Sequence, residues 1–287
     1  MSEPGGARPP AARRTPPPWA VDTGLFLRRW LLWAADALLP PEAGMWQRTM
    51  GIERTQVLGT LAELGVPDIL DEGPMTAKEL AARVSVDADA LHRVLRAAAT
   101  DGVLKLDRRG RFALTRLGRV LRSQGPGSLR PWARYMALDS TRNAWGGLTE
   151  SVRSGRSAFR QVHGTSIWDW YTDHPDEERL FAAAMRSMTE LDALGFAAAS
   201  MWPQEGTICD VAGGTGTLLA AVLADRPRLR GVLVEAPGVL AEADPYLSQK
   251  GVRERVELVE GDLFGELEAK ADVYVLKNIL HDWDDET

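Results

Sequence analysis

The stretch Cys209–Thr217, which reads CDVAGGTGT, decides the fold of this chain. Its first residues end an apolar run typical of a buried strand, and the glycines then lead into the helix-forming segment Thr217–Ala224. Glycine lets a backbone approach a ligand closely, and the N-terminus of a helix favours negative charge nearby. A tight strand-to-helix turn explains the same residues without any ligand, so the motif by itself is a weak signal.

Two better-known glycine motifs are excluded by the residues around this turn. The dinucleotide pattern G-x-G-x-x-G, started at Gly214, needs glycine where Leu219 stands. The P-loop pattern needs Lys followed by Ser or Thr, and neither follows here. A cofactor at this turn must therefore be recognised by other residues as well.

The period of the sequence changes after Pro203, where short runs rich in Val, Ile and Leu alternate with helical or loop segments. The predicted strands are Thr207–Val211, Gly231–Glu235, Val256–Glu260 and Ala271–Leu276. Continuous apolar strands separated by helices are typical of a parallel sheet that is covered on both faces. The sequence therefore predicts an α/β, Rossmann-like domain over residues 203–287.

Acidic residues follow two of these strands. Glu235 ends the second strand, 19 residues after Gly216, where a carboxylate can bind both hydroxyls of a ribose. Asp262, Leu263 and Phe264 follow the third strand and are suited to an adenine edge with an aromatic ring beside it. Open α/β sheets bind ligands at the carboxyl ends of their strands, so these residues predict a nucleoside-containing cofactor.

The fourth strand leads into the segment Val273–Glu286, which reads VYVLKNILHDWDDE. An imidazole has an ordinary pKa of about 6.5 and can accept a proton near neutral pH, so His281 is a candidate general base. Asp282 is placed to orient it, while the later acids also suit the opening turn of a helix. A metal site is a weaker alternative, because consecutive acids on one turn point in different directions.

The N-terminal part reads as a proline-rich tail followed by a winged-helix arrangement of three helices and a hairpin. We predict a disordered tail over residues 1–20 and a winged-helix-like domain over residues 21–125. Thr76–Glu79 has the sequence of a capping box, and Asp87 is suited to be a helix N-cap. Val103–Leu106 is expected to pair with Arg111–Leu114 across a turn.

A winged-helix order raises DNA binding as an alternative function. Residues 76–122 carry 11 Lys and Arg against 5 Asp and Glu. The third helix nevertheless offers few outward polar groups, and the net charge of −6 over the whole chain argues against a general nucleic-acid binder. Leu25–Leu39, interrupted by Asp36 and two arginines, suits an amphipathic helix that packs on a partner subunit better than a membrane span or a signal peptide.

Residues 126–202 are helical in pattern and rich in tryptophan. Aromatic residues at helical spacing are more often core than ligand pocket, but the density around Trp168 keeps a flat aromatic substrate in view. The 287 residues suffice for two domains. One cysteine, Cys209, excludes a disulfide framework, so the cytoplasm is the natural setting.

Four motifs in this order after a winged-helix region resemble the S-adenosylmethionine-dependent small-molecule O-methyltransferases, which include plant caffeate-type, animal hydroxyindole and bacterial polyketide-tailoring enzymes. The motifs are DVAGGTGT, LVEAPGV, VEGDLF and VLKNILHDWDDE. The resemblance covers roughly Met45 to the end of the chain. It implies a homodimeric enzyme that methylates a hydroxyl of an aromatic small molecule.

The resemblance also implies roles for single residues. The expected cofactor ligands are Asp210, Gly213, Gly214, Glu235, Asp262, Leu263, Phe264 and Lys277. Met185 and Thr189 match helix positions that close over the methyl donor, Trp168 joins them in the substrate pocket, and His281 matches the general base. No metal is implied.

Two departures from the family pattern stand out. Ala212 replaces the usual third glycine of the first motif, and Glu235 replaces the usual Asp, which shifts the carboxylate outward by one methylene. Family members carry three further strands, so the resemblance also predicts that this chain is truncated at its C-terminus. A methyltransferase-fold hydroxylase or decarboxylase of polyketides and a ligand-sensing winged-helix regulator remain alternatives.

Overall fold

The structure is a computed structural model that describes residues 18–125, 127–198, 201–261, 264–265, 267 and 269–283. The predicted tail lies outside these residues, except for its last three. They belong to the first helix, which begins at Pro18 rather than after residue 20. Proline is well tolerated in the first turn of a helix, and Trp19 starts the apolar run that continues along it, so the helix extends further than the composition of the tail suggested.

The N-terminal half contains helices and a small antiparallel sheet. The helices are α1 (Pro18–Ala37), α2 (Pro41–Thr49), α3 (Gly51–Glu63), α4 (Val66–Asp71), α5 (Ala77–Val84) and α6 (Ala88–Thr100). The strands are β1 (Met75–Thr76), β2 (Leu104–Leu106) and β3 (Arg111–Leu114), in the order β1-β3-β2. A 3-10 helix follows at Gly118–Leu121.

Local signals in this half are confirmed. The backbone N–H of Thr76 donates to Glu79 (2.7 Å), the backbone N–H of Glu79 donates to the Thr76 hydroxyl (3.3 Å), and both bonds form the capping box of α5. Asp87 accepts from the backbone N–H of Ala90 (2.7 Å) and caps α6. In the hairpin, the Nε atom of Arg111 donates to Oδ2 of Asp107 (2.9 Å), which gives this basic residue a local structural role.

Six helices follow and connect the two halves of the molecule. They are α7 (Arg130–Ala137), α8 (Asp139–Gly146), α9 (Leu148–Ser154), α10 (Ala158–His163), α11 (Ile167–Asp173) and α12 (Pro175–Ala198). The long helix α12 packs on α7, and α7 packs on α3 of the N-terminal half. None of the helices in the described part of the chain combines the length and apolar character needed to cross a lipid bilayer.

The C-terminal half is the predicted parallel sheet. Its elements are β4 (Glu205–Val211), α13 (Thr217–Ala224), β5 (Arg228–Glu235), α14 (Pro237–Gln249), β6 (Val256–Glu260) and β7 (Val273–Val275), with 3-10 helices at Arg253–Arg255 and Leu280–Asp282. The strand order is β6-β5-β4-β7, and Asp210 lies between Leu233 of β5 and Val275 of β7. Strands β5 and β6 are thus added on one side of β4 and β7 on the other. Sheets of this kind form a ligand crevice at the point where the order of the strands reverses.

Each half has its own apolar core. Leu61, Leu80, Leu95 and Phe112 are fully buried in the first, and Leu219, Leu223 and Leu233 in the second. Cys209 is buried within β4, as expected for a small apolar residue, and burial raises the pKa of its thiol to about 11. The thiol therefore remains protonated and unreactive near neutral pH.

Candidate cofactor and acceptor site

The glycine turn after β4 is folded tightly onto the side chain of Asp210. A Cβ atom at Gly213 would overlap the carboxyl group of Asp210, so only glycine fits at that position. Ala212 has φ of +53° and Gly214 has φ of +60°, both in the left-handed region. Alanine in this conformation costs roughly 1–2 kcal/mol. The position at which this chain departs from the family pattern is thus one where the backbone itself favours glycine.

Asp210 is the most strongly perturbed acid at this turn. Its side chain is buried, and its Oδ2 atom has no hydrogen-bond partner among the described residues. Burial, with a smaller contribution from the charge of Glu235, raises the pKa of Asp210 to about 7, while the charge of Lys277 opposes that shift. A buried polar atom without a partner is uncommon in a folded protein and is consistent with a ligand site.

Glu235 reaches the same turn from the neighbouring strand. It ends β5, and its Oε2 atom accepts from the backbone N–H of Ala236 (3.0 Å). Burial raises the pKa of Glu235, and the backbone N–H groups of Ala236 and Gly214 act in the opposite direction. The interaction with Gly214 brings the predicted ribose-binding carboxylate to the glycine turn.

Lys277, just after β7, points toward α12. Its Nζ atom donates to the hydroxyl of Thr189 (3.4 Å), lies 3.6 Å from Oδ2 of Asp192 and lies 5.9 Å from the ring centre of Phe196. Its side chain is only 12% exposed. Sequence reasoning named Lys277 and Thr189 separately, and the structure brings them together; Met185 lies half-buried one turn earlier on α12.

His281 lies in the 3-10 helix that follows the sheet. Its Nε2 atom is 3.3 Å from Oδ1 of Asp282, and its side chain is 66% exposed. Asp282 is thus adjacent to the imidazole that it is predicted to orient. The acids Asp284, Asp285 and Glu286 lie outside the described residues. Within the described part of the chain, no group of three or more His, Cys, Asp or Glu residues is placed to hold a metal ion.

Aromatic residues form a wall beside His281. The rings of Trp168 and Trp283 are nearly parallel (12°) with centres 6.5 Å apart, and Phe264 meets Trp283 edge-on at 4.6 Å. Trp168 also contacts Phe181 at 5.9 Å. Trp283 was not singled out from the sequence, although it directly follows His281 and Asp282 in the last of the four family motifs. Asp262 and Leu263, also predicted cofactor ligands, lie outside the described residues.

A cavity of about 260 Å³ lies among α7–α11. Its lining is mainly apolar and consists of Tyr135, Thr141, Ala144, Trp145, Leu148, Ala158, Phe159 and Ile167. Ile167 lines the cavity and Trp168 belongs to the aromatic wall, so α11 contributes one residue to each. Sequence reasoning missed these lining residues, since apolar positions at helical spacing do not distinguish a cavity from a filled core.

Comparison with known proteins places the chain in one family. The model of the O-methyltransferase dimerisation domain matches residues 46–124, and that of the O-methyltransferase domain matches residues 145–287. The mitomycin biosynthesis 6-O-methyltransferase of Streptomyces lavendulae is 39% identical over 237 residues, which are 82% of this chain and 68% of that protein.

Solved structures agree with this assignment. The crystal structure of LaPhzM superposes with a TM-score of 0.81 at 36% identity, over 86% of this chain and 74% of that one. The O-methyltransferase of neocarzinostatin biosynthesis, solved with S-adenosylmethionine and 2-hydroxy-5-methyl naphthoic acid, gives a TM-score of 0.67 at 32% identity, over 81% of this chain and 72% of that one.

Two relatives are named for other reactions: an 8-amino-8-demethylriboflavin N,N-dimethyltransferase of Streptomyces davaonensis, which is 35% identical, and a hydroxylase. The aclacinomycin 10-hydroxylase of Streptomyces purpurascens is 34% identical over 232 residues, 80% of this chain and 62% of that protein. The family models and the other named methyltransferases nevertheless agree on methyl transfer as the reaction of the family. The chain belongs to the O-methyltransferase family and is an S-adenosylmethionine-dependent O-methyltransferase.

Proposed function

We propose that this enzyme methylates a hydroxyl group on a flat aromatic small molecule and that His281 accepts the hydroxyl proton. The observation that carries the proposal is the convergence of Asp210, Glu235 and Lys277 at the carboxyl ends of three neighbouring strands, next to the glycine turn. A relative named as a 2,7-dihydroxy-5-methyl-1-naphthoate 7-O-methyltransferase supports the aromatic acceptor, and another is an O-methyltransferase of mitomycin biosynthesis.

The residues present fit S-adenosylmethionine. A Cβ atom at Gly213 would overlap Asp210, so the turn presents bare backbone at this point, and the Oδ2 atom of Asp210 has no partner among the described residues. Glu235 has a carboxylate suited to the ribose hydroxyls, and Phe264 offers a ring face for a nucleobase. Asp210, Gly213, Gly214, Glu235, Phe264 and Lys277, with Asp262 and Leu263, are the proposed cofactor ligands.

The chemistry needs one proton acceptor. When bound, S-adenosylmethionine supplies a methyl group on a positively charged sulfur atom. His281 then has to hold the proton that leaves the acceptor hydroxyl as the new C–O bond forms, which is a task suited to an exposed imidazole near neutral pH. Asp282, whose Oδ1 atom lies 3.3 Å from Nε2 of His281, limits the rotation of the ring.

The cavity among α7–α11 is the proposed acceptor pocket, together with Trp168, Met185 and Thr189. A buried apolar cavity of about 150 Å³ accommodates one benzene ring, so the 260 Å³ found here suits two fused rings. Thr141 and Tyr135 contribute the hydroxyl groups of its lining, and they can bind a small number of polar substituents. The naphthoic acid ligand of the neocarzinostatin enzyme is of this size class.

We also propose a homodimer located in the cytoplasm. Helix α1 exposes large apolar side chains along its length, including Phe26 (73%) and Trp33 (67%). It precedes the part of the chain that matches the dimerisation model, so a second copy is the natural partner for that face. We accordingly assign residues 21–125 to dimerisation, 126–202 to the acceptor pocket and 203–287 to the cofactor.

The test is product analysis with S-adenosylmethionine and a panel of hydroxylated naphthalenes and phenazines. We expect a product heavier by one CH₂ group, whose methyl carries isotope supplied in the cofactor. A product heavier by one oxygen atom would instead support a hydroxylase, the second candidate favoured by the aclacinomycin relative. No binding of S-adenosylmethionine in calorimetry would contradict both.

A further inference from the structure

We infer that Asp210 distinguishes the methyl donor from its demethylated product by charge and releases a proton when the donor binds. The inference rests on the proposed function. Asp210 takes no part in the proton transfer at His281, and by this inference it promotes release of the product.

The geometry places one carboxyl group directly behind the cofactor turn. Asp210 is 2% exposed, and its Oδ2 atom has no partner among the described residues. The turn leaves no room for even a methyl group between Gly213 and this carboxyl. A ligand seated on the backbone of the turn is therefore close to Asp210, in surroundings where charges interact over several ångströms with little screening by water.

The charges around Asp210 leave it without an adequate counter-ion when the cofactor is absent. Helix α13, which packs behind β4, has the sequence TLLAAVLA and contributes no charge. Glu235 at the end of β5 carries the same sign as Asp210, and Lys277 after β7 is engaged by Thr189 and Asp192 of α12. Among the described residues, Glu235 and Lys277 are the charged groups that act on Asp210. Burial and the charge of Glu235 outweigh the effect of Lys277 and favour the neutral form of the Asp210 carboxyl group.

The two cofactor forms differ in charge at one atom. S-adenosylmethionine carries a sulfonium cation, whereas S-adenosylhomocysteine has a neutral sulfur; the ammonium and carboxylate groups are common to both. A nearby cation favours ionisation of a carboxyl group, so the donor promotes loss of the Asp210 O–H proton to solvent and then pairs with the carboxylate. Once the methyl group has left, this attraction is lost, the acid is reprotonated, and the product is held less tightly.

The affinity for the methyl donor should depend on pH. Below the pKa of free Asp210, about 7, donor binding must expel a proton, and its affinity therefore rises as the pH increases. Between about pH 6 and pH 7.5 the donor affinity should increase by up to about tenfold, because one proton is released. The product affinity should change much less over the same interval.

The experiment is titration calorimetry of the full chain with S-adenosylmethionine and with S-adenosylhomocysteine, at both pH values and in two buffers of different ionisation enthalpy. We expect proton release with the donor that exceeds the release with the product. Asp210→Asn should abolish the excess release and the pH dependence of the donor-to-product affinity ratio. Titration of the ligand's own amino group is common to wild type and variant and cancels in that comparison.

Asp225→Asn is the matched control, since Asp225 is an exposed acid at the end of α13, and it should behave as wild type. The wild-type buffer comparison needs no variant, so even if Asp210→Asn folds poorly, equal proton release with the two ligands would still overturn the inference. Equal proton release with the two ligands, or a ratio that depends on pH equally in Asp210→Asn, would overturn the inference alone. Failure of both ligands to bind would overturn the proposed function and the inference with it.

Discussion

The Nζ atom of Lys277 donates a hydrogen bond to the hydroxyl of Thr189 at 3.4 Å. This contact ties the segment after β7 to α12, and α12 is also attached to α14 through Arg186 with Glu242 (3.2 Å) and Glu190 with Tyr246 (3.5 Å). Because α12 packs on α7 as well, the same helix connects the cofactor turn to the helices that line the acceptor cavity.

Replacement of Thr189 should therefore weaken cofactor binding. Thr189→Val keeps the side-chain shape but removes the acceptor for Lys277, so we expect the free energy of cofactor binding measured by calorimetry to weaken by roughly 0.5–1.5 kcal/mol. Thr189→Ser, which retains the hydroxyl, is the control and should remain close to wild type. Equal losses in both variants would mean that the methyl group, not the hydrogen bond, matters at this position.

Glu235 should contribute more than Thr189. Glu235→Ala removes a charged acceptor for the ribose and should weaken S-adenosylmethionine binding by roughly 1.5–3 kcal/mol. Glu235→Asp restores the acid that is usual in the family and should recover much of the affinity. Unchanged calorimetric affinity of Glu235→Ala would remove this residue from the cofactor site.

His281→Ala should separate chemistry from binding. Turnover should fall by roughly 10²–10⁴-fold, as expected on loss of a general base, while cofactor affinity stays near wild type. The measurement is initial rates of methyl transfer together with calorimetry on the same preparation. Normal turnover by His281→Ala would rule out this histidine as the proton acceptor.

Asp210 should also make stability depend on pH. Its pKa is raised to about 7 in the folded protein, so between about pH 4 and pH 7 the folded state holds a proton that the unfolded chain has lost. Stability therefore falls as the pH rises through this window and stays lower above it. Without cofactor, the free energy of unfolding of Asp210→Asn at pH 8 should exceed that of wild type by up to roughly 4 kcal/mol, seen as a higher Tm, and the difference should shrink toward pH 4.

Helix α1 should mediate self-association. Phe26→Ser combined with Trp33→Ser removes two exposed aromatic rings, and light scattering should show a shift from dimer to monomer at micromolar concentration. Leu106→Thr, which changes an exposed apolar residue on β2, is the control and should stay dimeric. A wild-type monomer at that concentration, or tight DNA binding at physiological salt, would contradict the dimer proposal.

Much of this architecture could be predicted because its signals are local. The capping box at Thr76, the N-cap Asp87 and helix Thr217–Ala224 follow from neighbouring residues. The acids at strand ends were predictable because parallel strands end at one edge of a sheet. What escaped prediction depends on distant packing: the lining of the acceptor cavity, the stacking of Trp283 on Trp168 and the bond between Lys277 and Thr189.

The position of β4 between β5 and β7 has a consequence for the order of folding. The pairing of β4 with β5 needs only the short excursion through α13, whereas Val275 must reach Asp210 from 65 residues further along the chain. Contacts between distant residues form more slowly because a larger loop has to close. We therefore expect the glycine turn and Asp210 to be folded before β7 pairs with β4 and positions Lys277. A ligand that contacts both the glycine turn and Lys277 would then act chiefly by slowing the dissociation of β7 from β4.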